Sequence, residues 1–430
     1  MPWGGTDMSA KEELLDNWPM LVVAFLLVFF AFGVPTYSLP FMYGAAMEEF
    51  GWSNAQVNLL STAKFLMGAV AALTMGILLD KMGGRWTVLV GAAAGGVAMA
   101  MFYFATNLPV YYLAGVMLGF SASSIVAAMK VVVARLFSAN QGLAMGIVLT
   151  ATSFGGVVMP WVWGTALDSM NWRTIISLLS LGPLVIAVPT WLIFMATDKR
   201  MSEIVSRPTP VQSTTSTWQH FRLISAEKGF WLIAIGIFLV SAVDQALMQN
   251  YVNFLRVDKG MDLRSTITWA GSLMATIGVL AKIGSGWFYD KFSIRGVTFF
   301  YFLLAVSIFL GLPIAGIGSM LLFIVVRGVA HGGLIVDVPI LTKHYFGMER
   351  IGLTMGIMAV CVNLGFAAGP PVFGWMADTY GNFSVGLAVY GCIAALATLT
   401  LLPIKPRFWV PPVKDKSEHA GAATQAAELR

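Results

Sequence analysis

Residues 76–85 read Gly-Ile-Leu-Leu-Asp-Lys-Met-Gly-Gly-Arg, and residues 286–295 read Gly-Trp-Phe-Tyr-Asp-Lys-Phe-Ser-Ile-Arg. The two stretches lie 210 residues apart. The same offset relates Gly146 to Gly356, Gly155 to Gly365, Pro160 to Pro370, Gly164 to Gly374 and Asp168 to Asp378. One constant shift across so many positions marks two fused copies of a single unit, and a repeat settles architecture before any local signal does.

What each copy is made of follows from composition. Hydrophobic residues make up 58% of the chain and charged residues only 11%, against about a quarter charged in a soluble domain. The apolar residues fall in blocks of about 20 or more, each long enough to cross about 30 Å of hydrocarbon. Twelve such spans are expected, at 18–46, 54–79, 86–106, 109–136, 141–166 and 173–196, then 229–256, 264–289, 296–315, 317–345, 350–377 and 382–404. The fold class is therefore all-α and polytopic, with twelve transmembrane helices in two pseudo-symmetric six-helix bundles. A soluble protein would have to bury twelve helices that are apolar on every side.

The organisation expected is an N-terminal tail (1–17), a first bundle (18–196), a polar central loop (197–228), a second bundle (229–404) and a disordered tail (405–430). Threading the spans from a cytoplasmic N-terminus places 18 Lys and Arg inside and four outside, namely Arg173, Arg256, Lys259 and Arg264. That bias predicts cytoplasmic termini, in a plasma (inner) membrane. The net charge of +5 is a loop asymmetry and does not point to nucleic acid. Cys361 and Cys392 both lie in apolar spans and the four histidines lack ligand spacing, so neither a disulfide framework nor a metal site is expected. With no phosphate-cradling loop and no nucleophile–base constellation, no cofactor and no enzymatic activity are expected either.

Twelve spans in two copies around a central loop resemble the major facilitator superfamily over nearly the whole chain. The most specific element is the loop after the second span, where that family carries Gly-x-x-x-Asp-Arg/Lys-x-Gly-Arg/Lys-Arg/Lys. Gly76, Asp80, Lys81, Gly83 and Arg85 match it. The second copy matches through Gly286, Asp290, Lys291 and Arg295. Small Gly76 and Gly286 suit close helix approach. The two carboxylates stand where they can bond basic residues or a helix N-terminus, as a latch made in one conformation and broken in the other. The resemblance implies alternating access around a midplane site and a functional monomer.

Ionisable residues inside a bilayer are functional candidates by default. They are Lys64, Lys130, Asp244, Lys282, Arg327 and Asp337, with His331 one turn beyond Arg327. Four cations against two carboxylates leave excess positive charge for an organic anion to match. Lys282 lies eight residues before Asp290, about 12 Å up its helix. In this it resembles the substrate-binding arginine of monocarboxylate transporters and oxalate/formate antiporters. The helix 11 lysine of oxalate transporters is replaced in the region of Cys361-Val-Asn363, which disfavours a dicarboxylate. Lys282, Arg327, Asn363, Tyr37 and Tyr251 are the substrate-binding candidates. Asp244, His331 and Asp337 are the proton-coupling candidates, since burial favours a neutral carboxyl and a nearby cation opposes it. A pairing of Asp337 with Lys130 would make a gate. The function expected is secondary active transport of a small, monocarboxylate-type organic anion, with protons as the coupling ion. An anion exchanger and a proton-driven drug exporter are the alternatives.

Overall fold

A computed structural model describes residues 10–137, 141–198, 203, 222, 224–347 and 351–408, the side chains of 10–14, 72–73, 75–81, 141–142, 264–265 and 351–353 excepted. The described residues form twelve rods. They are α1 (10–50), α2 (54–82), α3 (84–104), α4 (Leu108–Leu136), α5 (Gln141–Ala166), α6 (172–197), α7 (228–258), α8 (263–292), α9 (Ile294–Leu310), α10 (317–346), α11 (Ile351–Tyr380) and α12 (Ser384–Leu401). Among the described residues nine segments are long and apolar enough to cross a membrane, with the shorter apolar Ile294–Leu310 beside them.

Local sequence sets the breaks. Gly51 takes φ 68° at the end of α1, and Ser53 and Gln56 form a reciprocal capping box that starts α2. Gly83 takes φ 71° and turns α2 into α3, so the conserved-looking glycine after Lys81 is a hinge between rods. Asn107 and Asn171 cap α4 and α6. A π-helical turn, Phe29–Gly33, interrupts α1 just before Pro35. In α10 the helix stops at Leu334 and restarts at Asp337.

The repeat reappears as packing. Gly155 of α5 lies against the backbone of Gly33 in α1, and Gly365 of α11 lies against Phe238, Ser241 and Ala242 in α7. A side chain at either glycine would meet main chain, so each bundle is drawn together by the same small residue at the same place. The bundles then meet along two seams. Ser272 of α8 donates to the carbonyl of Val157 in α5 (2.8 Å), and Thr62 of α2 donates to the carbonyl of Ala367 in α11 (2.7 Å).

One end of the seams is shut. Asn58 and Asn250, both buried, exchange amide hydrogen bonds of 2.8 and 3.1 Å. The Asp378 carboxylate accepts from the backbone N–H groups of Asn54 (2.9 Å) and Ala55 (2.8 Å) and from the Asn54 amide (2.8 Å), capping α2 of the opposite bundle. Glu48 pairs with Arg256 at 3.1 Å on the same end. At the other end a Cβ built on Gly146, Gly284, Gly286 or Gly356 would meet nothing within 4 Å. The bundles part there, on the side where the described residues begin, at Ala10, and end, at Phe408.

That opening corrects the expectation for Gly286, against which no helix packs in this state. Lys291 lies over the rings of Trp287 and Phe292, 5.3 Å from each, Arg295 is exposed, and Arg85 lies over Trp86 at 5.8 Å. Asp290 interacts electrostatically with His344. The side chains of Gly76, Asp80 and Lys81 lie outside the described residues. The expected tails also shorten. Helix begins at Ala10 inside the segment 1–17, and Arg407 is held by Glu227 (2.7 Å) and Tyr345 (2.9 Å). Most of the central loop 197–228 lies outside the described residues.

Replacing Asp378 with alanine removes three hydrogen bonds between bundles. At about 1 kcal/mol for each net bond, the shut end should open far more often. A cysteine placed at Ser53 in a background lacking Cys361 and Cys392 should then label several-fold faster with a membrane-impermeant maleimide, and an unchanged rate would contradict the assignment.

Candidate substrate site

Helices α1, α5, α7, α10 and α11 enclose a cavity of about 230 Å³ between the bundles. Its walls carry Thr36 and Tyr37 from α1, Ser153 from α5, Asp244 and Gln245 from α7, His331 and Asp337 from α10, and Phe366 from α11. A smaller cavity of about 160 Å³ adjoins it and shares the Phe32 wall, with Lys64, Phe65 and Asn363 around it.

Arg327 and Asp244 dominate the electrostatics. Both are buried, with Arg327 Nη1 2.8 Å from Asp244 Oδ1 and Nη2 donating to the Asp244 backbone carbonyl at 2.9 Å. His331 Nδ1 lies 3.1 and 3.0 Å from the two carboxylate oxygens. Because an ionised carboxylate only accepts, Nδ1 carries the ring proton. The other nitrogen, Nε2, is buried and makes no hydrogen bond. The site therefore holds a matched ion pair with a histidine whose second ring nitrogen has no hydrogen-bond partner. This arrangement ties α10 to α7, and it uses Arg327 for Asp244 where substrate was expected.

Lys282 is placed differently. It is not paired with Asp244. Its Nζ donates to Ser153 Oγ at 2.7 Å, across the seam between α8 and α5, and no carboxylate lies within ion-pair distance among the described residues. Asp337 stands at the break in α10. Its Oδ2 accepts from Tyr301 (2.8 Å) and its Oδ1 from the adjacent Val338 N–H (2.6 Å), at the start of the restarted helix. The expected pairing of Asp337 with Lys130 is overturned, since Lys130 is exposed and Asp337 is occupied from the opposite side.

Tyr37 lines the cavity, as does the neighbouring Phe32. Tyr251 does not. It lies in the shut layer, edge-on to Phe41 with ring centroids 6.1 Å apart and its hydroxyl against Gly271. Asn363 faces the smaller cavity, its amide nitrogen donating to Ala359 at 2.8 Å. Sequence reasoning passed over Ser153, Thr36 and Gln245, whose Nε2 is buried without a partner. A signal was present. Ser241, Asp244 and Gln245 follow helical spacing in an otherwise apolar stretch, which marks one polar face.

Comparison with known proteins agrees with this architecture. The sequence pattern of the Major Facilitator Superfamily matches residues 20–335 and 264–427, and the chain belongs to that family of transporters. Monocarboxylate transporter 12 of Rattus norvegicus is 22% identical over 73% of this chain and 70% of its own length. Monocarboxylate transporter 13 of the same species is 24% identical over 90% and 89%. Agnestins efflux protein AgnL12 of Paecilomyces divaricatus is 24% identical over 76% and 72%. Among solved structures, an inward-facing, unoccupied bacterial homolog of the human lysosomal transporter Spinster superposes with TM-score 0.71 at 15% identity, covering 94% of this chain and all of that one. A mutant of the nucleoside transporter NupG does so with TM-score 0.74 at 14% identity, over 89% and 99%. At such identities the solved structures bear on the fold. The chain is a multi-pass membrane protein and a secondary transporter.

Removing one partner of a buried ion pair strands the other, at a cost of about 3–5 kcal/mol. Asp244→Asn should therefore lower the unfolding temperature of the purified protein sharply, whereas the double variant Asp244→Leu, Arg327→Met should recover most of the loss. Equal damage from the single and double variants would show that the pair is not the source of stability.

Proposed function

We propose that the protein moves a small organic anion, of the monocarboxylate type, across the membrane by alternating access with a proton as co-substrate. One observation carries this reading. Lys282 is a half-buried cation behind the cavity wall, and its described polar partner is the neutral hydroxyl of the cavity-lining Ser153. A half-buried ammonium without a counter-charge is costly, and a carboxylate entering from the open end removes that cost by replacing Ser153 at Nζ. Lysine offers a point charge rather than a bidentate fork, so Tyr37 and Gln245 would supply the orientation. The names of two of the relatives, both monocarboxylate transporters, lend support.

The proton has a place beside it. With Asp244 matched by Arg327, Nε2 of the cavity-lining His331 is the ring nitrogen left without a hydrogen-bond partner. Protonation there puts a second donor near the carboxylate, and the anion and its proton leave together with no net charge moved. Arg327 and Asp337 then act as framework, through Asp244 and Tyr301. The latch residues Asp80, Lys81, Arg85, Asp290, Lys291 and Arg295 would engage when the open end closes. That end, which carries the termini and the excess of basic residues, faces the cytoplasm of a plasma-membrane protein in this reading, so the structure is inward-open. One chain suffices for the cycle.

Purified protein in proteoliposomes should exchange labelled butyrate or pyruvate, and an imposed proton gradient should drive accumulation. Lys282→Ala should lower counterflow at least ~10-fold, the equivalent of one charge contact. His331→Gln should keep counterflow while abolishing pH-driven accumulation. Normal transport by the Lys282 variant would remove the site assignment, and accumulation that ignores pH in the wild type would replace symport with exchange.

A further inference from the structure

Lys64 stands outside everything assigned so far. It is 1% exposed, lies in α2 of the first bundle, and donates to the Thr36 hydroxyl. Its ammonium sits between the rings of Phe32 and Phe65, 5.2 and 5.1 Å from their centroids. No carboxylate lies within ion-pair distance of it among the described residues. Aromatic faces and one hydroxyl soften the burial of a cation, and they do not neutralise it. Lys64 also lines the smaller cavity, together with Ser123 and Asn363.

The parallel with Lys282 is close. Each lysine is on the second helix of its bundle, each donates to a hydroxyl, and each hydroxyl, Thr36 or Ser153, lines the central cavity. Phe32 walls both cavities. The 210-residue repeat places Lys282 opposite Ala72 and Lys64 opposite Met274. The two ammonium groups therefore do not duplicate one position. They sit eight residues apart along equivalent helices, a difference in depth of about 12 Å at the Cα atoms. Two unmatched cations at different depths, one in each bundle, present two anion-binding subsites, Lys64 at the smaller cavity and Lys282 behind the Ser153 wall of the central one, and the two cavities share the Phe32 ring.

We infer that Lys64 is a second anion-binding residue and that, beside monocarboxylates, the transporter accepts organic dianions, dicarboxylates whose two acidic groups reach Lys282 and Lys64 past the Phe32 ring. This rests on the reading of the protein as an organic-anion transporter and extends its substrate class to diacids. The sequence disfavoured a dicarboxylate because helix 11 offers Asn363 in place of a lysine. In the folded protein the cation beside Asn363 comes from helix 2. A ligand held by both bundles at once would also couple binding to their relative motion.

The test is counterflow in proteoliposomes with labelled succinate and, separately, labelled butyrate. Unlabelled malonate, succinate, glutarate and adipate compete against propionate, butyrate and valerate. In the wild-type protein at least one diacid should compete ~10-fold more strongly than the monoacid of matched length, the effect of one added charge contact. Lys64→Met should erase that preference by weakening the diacids and leaving the monoacids unchanged, and Lys64→Arg should keep it. Thermal unfolding of both variants separates a lost contact from a lost fold, and the wild-type preference reads out without either. Equal competition by diacids and monoacids in the wild type, or an unchanged ratio in a folded Lys64→Met protein, would overturn the dianion and leave monocarboxylate transport standing. No counterflow with either class would overturn the organic-anion reading together with it.

Discussion

A charge held in low dielectric has to be matched, and the way this chain distributes that requirement organises the rest of the molecule. Arg327 and Asp244 satisfy each other, with His331 fitted against the same carboxylate. That contact fixes α10 against α7 and belongs to the frame. Lys282 and Lys64 meet only hydroxyls and aromatic faces among the described residues. The protein is thus self-sufficient in one part of its interior and short of negative charge in another. A transporter needs both conditions, since a fully matched interior gives a substrate nothing to do and a wholly unmatched one does not fold.

The frame itself is two-fold, and its symmetry is built from the smallest residues. Gly155 and Gly365 bring α5 onto α1 and α11 onto α7, while Gly164 and Gly374 let the seams close on Thr268 and Asn54. Apart from Gly164, which meets the Thr268 side chain, these contacts are mostly with main chain, and they survive duplication because they depend little on the partner's side chain. The Arg327–Asp244 pair does not repeat, since the 210-residue offset sets Met117 and Val34 in the corresponding places. Motion can therefore be symmetric while recognition is not, because the two halves share a scaffold and divide the chemistry.

The fold was legible because hydrocarbon imposes one periodicity on every span and the repeat imposes one offset on the motifs. Buried charge was legible as a set of candidates for the same reason. Their partners were not. Arg327 and Asp244 lie 83 residues apart, and Lys282 reaches Ser153 across 129. No local pattern says whether an arginine on α10 will be absorbed by α7 or left for a ligand. The Asp337–Lys130 gate failed on that point, because Tyr301 reaches the carboxylate first. Tyr251 failed on depth, since helix assignment places it near the cavity and only the packed structure shows it in the shut layer. Ser153 and Thr36 were overlooked because hydroxyls in apolar spans usually bond their own helix.

The π-helical turn at Phe29–Gly33 has a consequence for how one helix serves two environments. Such a turn holds one residue more than an α-turn, and one residue is about 100° of rotation about the axis at 3.6 residues per turn. The stretch of α1 before it sits in the first bundle's own core through Met20, Ala24 and Leu27, and the stretch after it presents Thr36 and Tyr37 to the cavity. The face that a straight helix would keep in line is turned from one to the other inside five residues. Rewinding that turn to ordinary α-helix would swing the cavity lining around the axis without shifting the anchored end, so α1 contains a rotary joint at the level of the substrate.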